Sequence, residues 1–117
     1  MSNVILVFST APAGSETAEQ IARTLVDERL AACVNIQAPM VSIYRWKGAV
    51  ERDSERQLVI KTTHAALPAL EKRLRELHPY ELPEFIVVEA SGGSEKYLEW
   101  VAQEVPGVPE VPGVPEV

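Results

Sequence analysis

Apolar positions along the chain follow two rhythms, one of period two and one of period near 3.6, and their boundaries outline the elements. Val4-Ile5-Leu6-Val7-Phe8 is an unbroken β-branched and aromatic run, which predicts a strand buried on both faces and hence central in its sheet. Residues 9–15 contain Pro12 and Gly14 and predict a loop. Ala18, Ile21, Ala22, Leu25 and Val26 then recur at helical spacing, with Glu19, Gln20, Arg23 and Glu28 facing away. This predicts a helix over about 16–29, capped by Ser15.

Residues 31–36 read as a second strand, which Pro39 interrupts. The alternation resumes over 41–46, where Val41, Ile43 and Arg45 share one face and Ser42, Tyr44 and Trp46 the other. Lys47-Gly48 begins a turn, and residues 50–52 and 57–62 return as a third strand. Leu67, Leu70, Leu74 and Leu77 repeat at spacings of three and four. Pro68 belongs in the first turn of that helix, which therefore spans about 66–77. The polar junction His78-Pro79-Tyr80-Glu81-Leu82-Pro83-Glu84 follows, then a strand over 85–88. Ser94 is placed to cap a short helix carrying Tyr97, Leu98, Trp100 and Val101.

The order β-α-β-β-α-β plus a terminal helix is the ferredoxin-like layout, an α+β fold with two helices on one face of a four-stranded antiparallel sheet. The long hairpin reaches past what one helical layer covers, since strands rise about 3.3 Å per residue. Its tip and the second sheet face both need a cover, which favours an oligomer. From Val105 the chain repeats Val-Pro-Gly-Val-Pro-Glu. Proline at that spacing excludes helix. The domain is expected over 1–104, with 105–117 a disordered or polyproline-II tail dispensable for the fold.

Composition adds exclusions more than assignments. The 117 residues are 46% hydrophobic and 24% charged, ordinary globular usage for one domain. A net charge of −6 argues against nucleic acid or an anionic membrane surface as partner. Cys33 is the one cysteine, so no internal disulfide forms and a reducing compartment is expected. No run approaches the roughly 20 apolar residues of a membrane span, and the first residues lack a signal-peptide pattern. A cytoplasmic protein is expected.

Chemistry concentrates in the junction. His78 has two readings: a metal ligand beside Glu81 and Glu84, or a helix-ending side chain that bonds backbone. Glu81 and Glu84 read as paired carboxylates or as braces for the junction. Cys33, within Ala-Ala-Cys-Val, reads as a buried small hydrophobe or a soft ligand. Tyr44 and Trp46 are expected in a subunit interface or stacked on a ligand. Lys61 is a candidate for binding an anion or pairing with Glu84. No nucleophile, base and orienting group assemble from the sequence, so no enzyme is expected.

With those motifs placed, the chain resembles the CutA family, the divalent-cation tolerance proteins. The likeness is carried by Leu25-Val26, the run Arg29 to Ile36, Ser42-Ile43-Tyr44, Trp46, Gly48, Ile60-Lys61-Thr62, the segment His78 to Glu84, and Tyr97-Leu98 with Trp100. The resemblance implies a homotrimer whose long strands reach onto neighbours, with a trimer core similar to that of PII signalling proteins. It implies association with divalent-metal tolerance, with a cation such as copper as ligand and His78 and Glu81 as metal residues. It implies an intersubunit cleft lined by Cys33, Lys61, Tyr80 and Glu84. Copper-binding relatives carry a cysteine and a second histidine where this chain has Ser9 and Leu77, which points to weak or indirect metal binding. A PII-like small-molecule sensor is the alternative.

Overall fold

A computed structural model describes residues 3–106. The elements run β1 (Val4–Pro12), α1 (Thr17–Asp27), β2 (Cys33–Ile36), β3 (Met40–Trp46), β4 (Ala49–Thr63), α2 (Leu67–Leu77), β5 (Ile86–Glu89) and α3 (Glu95–Glu104). The sheet order is β2-β4-β1-β5, with β3 also on β4, and every pairing is antiparallel. β2 and β3 are two halves of one strand, parted where Pro39 removes a ladder donor. The expected ferredoxin-like arrangement follows directly from this order.

Alternation along β1 decides where the core lies. Ile5, Val7, Ser9 and Ala11 are fully buried, while Leu6 and Phe8 are half-buried. The first set, with Leu58 and Ile60 of β4, meets Ala18, Ile21 and Leu25 of α1 and Leu70 and Leu74 of α2 in one cluster. β1 is central, as its composition requires, lying between β4 and β5. Its second face is only partly covered, because both large helices lie on the other side. α3 sits at one end, where Val101 and Val105 join Val4, Ala32 and Ala66.

The structure differs from the sequence reading in four places. β1 continues through Pro12 instead of ending at Phe8, because Glu55 to Leu58 of β4 offer partners for Ser9 to Pro12. β4 is one 15-residue strand, including the polar stretch 51–55, which pairs with β3. The N-cap of α1 is Glu16 without a side-chain bond, and Ser15 Oγ meets the Thr17 hydroxyl at 2.8 Å and accepts the Thr17 N–H at 3.4 Å. Val105, assigned to the tail, is buried and its N–H donates to the Val101 carbonyl. The rest of the expected tail, 107–117, lies outside the described residues.

α1 ends without glycine. Arg29 takes the left-handed conformation at φ 60°, so that the Leu30 N–H reaches the Leu25 carbonyl and the Arg29 N–H reaches Val26. This six-to-one and five-to-two pair satisfies carbonyls the helix leaves free. It also turns Leu30 into the core beside Leu25.

Candidate functional site

The junction after α2 is fixed by His78. The side chain is buried, its Nε2 lies 2.6 Å from the Thr10 carbonyl, and its Nδ1 accepts the Tyr80 N–H at 3.1 Å. An acceptor role at Nδ1 puts the ring proton on Nε2, which then donates to Thr10. Pro79 cannot donate, so the first free N–H beyond the helix is that of Tyr80. The His78 and Tyr80 rings lie 4.6 Å apart at 54°.

Tyr80 is thereby aimed at β4. Its hydroxyl donates to Glu55 Oε2 at 2.8 Å. Burial, then the Glu55 bond, push the Tyr80 hydroxyl well above the ordinary phenol range. Two residues along the same face of β4, Gln57 Nε2 donates to Glu84 Oε2 at 2.9 Å and lies 3.4 Å from the Ser9 carbonyl. Burial raises the Glu84 carboxyl above its usual range; the Gln57 bond opposes this and Glu55 adds to it. At the hairpin, the Tyr44 hydroxyl donates to Asp53, and that bond pushes it up to about 12.

These groups line one cleft of about 690 Å³ between the β3–β4 hairpin and residues 80–84. Ser42, Tyr44 and Trp46 face it with Glu55 and Gln57, because strand side chains alternate. The opposite hairpin face exposes Val41, Ile43 and Val50 at 53%, 69% and 65%. Tyr44 and Trp46 therefore belong to the cleft wall, and the apolar outer face is carried by their neighbours.

The expected site residues fall into separate groups. Cys33 pairs with Lys61 across β2 and β4, and the Lys61 ammonium lies 5.6 Å from the Tyr97 ring. Tyr80 and Glu84 sit near Glu55 and Gln57. Four residue steps along β4 from Gln57 to Lys61 separate the two pairs by roughly 13 Å. Lys61 does not pair with Glu84, and Cys33 is half-buried instead of fully interior. Within this one chain these four residues form no single site.

His78 and Glu81 do not converge either. Both His78 nitrogens bond backbone, whereas Glu81 is exposed and pairs with Lys47 at 3.7 Å. Among the described residues, no three His, Cys, Asp or Glu side chains gather as a metal-holding group. Ser9 is fully buried in β1 and Leu77 packs against the core. His64 is exposed and bonds Glu89 at 2.9 Å. Sequence reasoning missed Glu55 and Gln57. The only signal was their shared parity on β4 with the cleft face of the hairpin.

Comparison with known proteins places this geometry in context. Residues 5–104 match the family model described as CutA1 divalent ion tolerance protein. The divalent-cation tolerance protein CutA of Thermus thermophilus is 46% identical over 88% of this chain and 97% of its own length. Human protein CutA is 43% identical over 92% of this chain, which spans 60% of the human protein. The crystal structure of CutA from Xylella fastidiosa superposes with a TM-score of 0.85 at 49% identity, covering 89% of this chain and 99% of that one.

Proposed function

The chain belongs to the CutA1 divalent ion tolerance protein family, and on that premise we propose that it acts in tolerance to divalent cations such as copper as a non-enzymatic homotrimer in the cytoplasm. Family membership across residues 5–104 is the observation that carries this reading. Its engagement of metal is weak or indirect. His78, the one histidine of the junction, spends both nitrogens on backbone. Ligation by it would first break a bond that holds the junction. The PII-like sensor alternative draws no support from the comparisons.

The trimer reading is supported by two apolar surfaces that one subunit leaves open. One is the outer hairpin face of Val41, Ile43 and Val50; the other is the β5 side, with Ile86 and Val88 exposed. Apolar patches of this kind mark interfaces.

Growth of a copper-sensitive bacterial strain lacking its own tolerance protein is the direct test. Expression of this chain should raise the copper concentration that halts growth. Calorimetry with copper(II) chloride should find no affinity tighter than about 1 µM, which corresponds to roughly −8 kcal/mol. A tight stoichiometric site that His78→Ala abolishes would refute the weak-binding reading. Unchanged copper sensitivity would refute the tolerance role.

A further inference from the structure

A second concavity lies on the helical side of the sheet, between α1 and β2, and encloses about 790 Å³. Ala22 and Val26 of α1 and Val34 and Ile36 of β2 form its apolar floor, and Val26 remains 41% exposed. Its rim mixes Arg23 and Arg29 with Glu19, Asp27 and Glu104. Acids and bases nearly balance there, so the choice of occupant falls to the apolar floor. None of these residues belongs to the outer hairpin face or to β5, the two surfaces assigned to assembly.

Glu104 brings the end of α3 to this groove. Val105 then packs with Val4, Ala32 and Ala66, and its N–H donates to the Val101 carbonyl. Pro106 therefore stands at the Ala32 end of the groove. The order of residues beyond it carries the argument. Val105, Val108, Val111, Val114 and Val117 recur at every third position. Polyproline II has three residues per turn, and Pro106, Pro109, Pro112 and Pro115 favour it. In that conformation the valines form one edge, about 9 Å apart, with glycine and glutamate sharing another.

The first of this series, Val105, is already buried at 2% exposure. From Ala32 to Ile36 the floor runs roughly 13 Å. Carried along that line, Val108 falls within the span and Val111 near its far end. We propose that residues 107–112 of the same chain lie in the groove between α1 and β2 as a polyproline II strap, with the valine edge inward. Proline presets the bound conformation, so little ordering opposes the contact. The proposal goes beyond cation tolerance and does not depend on it.

Cleavage after Glu110 by a glutamate-specific endopeptidase tests it on the full chain, against a free peptide of residues 105–117. Cleavage should be about tenfold or more slower in the protein, since the protease reaches only the undocked strap. Val26→Gln, at an exposed position of α1, should bring the rate to within about threefold of the peptide. Val108→Ser, measured against a peptide of its own sequence, should do the same, whereas Arg75→Gln on α2 should leave the protection intact. In a Cys33→Ser background, Val26→Cys combined with Val108→Cys should oxidise to a disulfide within one chain. Disulfide-linked dimers would place the strap in a second copy's groove and overturn the proposal. A wild-type rate equal to that of the peptide would overturn it too, as would protection indifferent to both Val26→Gln and Val108→Ser.

Discussion

Both ring nitrogens of His78 serve the backbone, so replacing this side chain orphans a carbonyl and an N–H together. His78→Ala should lower unfolding free energy by roughly 1–3 kcal/mol, since unmade buried bonds cost more than made ones return. Urea denaturation checks it; a change below about 0.5 kcal/mol would mean that water replaces the ring. Glu84 makes a pH prediction. Its carboxyl titrates above the ordinary 4.5 because burial disfavours the charged form. The folded state therefore holds its proton longer than the unfolded chain does. The associated stability is present below pH 4.5 and is lost as pH rises through the folded value. Glu84→Gln should flatten the stability profile on the alkaline side of 4.5 and leave the variant the more stable protein at pH 7. Melting temperatures across that window decide it; parallel curves for the two proteins would show that Glu84 is solvated.

Among the elements, α1 ends on a residue ill suited to its conformation. A side chain at φ 60° costs about 1–2 kcal/mol that glycine avoids. Arg29→Gly should raise stability by about 1 kcal/mol while keeping the Leu30-to-Leu25 bond, measured by denaturant midpoint. Lower stability would show that the arginine contributes contacts worth more than the strain. The same element shows how far the sequence could be read. The positions of α1 and α2 were legible because Ile21, Leu25, Leu70 and Leu74 keep one face buried. The left-handed turn at Arg29 was not, because it is imposed by Leu30 seeking the core. β1 past Phe8 was hidden for a similar reason. Ser9, Thr10 and Pro12 are turn formers in isolation, and the ladder from β4 overrides that preference. Of the cleft, Tyr80 and Glu84 were legible as a polar cluster. Glu55 and Gln57 stand 25 and 27 positions earlier, and only the strand pairing joins them.

For the whole molecule, the surfaces left open matter more than the core. The main cluster closes within one subunit, around Leu25, Leu58 and Leu70. Ile43 on the outer hairpin face remains 69% exposed. Sedimentation should show a trimer at micromolar concentration. Ile43→Glu should shift it toward the monomer while circular dichroism stays unchanged, since the residue is 69% exposed and lies outside the core clusters. A wild-type monomer, or a variant trimer of undiminished stability, would count against assembly through this face.

The break at residues 37–39, between β2 and β3, carries a consequence for how such a chain can evolve. Even-numbered positions of β3 face the cleft and odd-numbered ones face outward. Point substitutions on one parity leave the other untouched, so recognition and assembly can drift separately. A single-residue deletion in the Pro39 segment would exchange the two sets at a stroke, sending Tyr44 and Trp46 outward and Val41 and Ile43 inward. Length changes there should survive only in pairs, which makes the spacing between β2 and β3 more constrained than the identity of the residues that fill it.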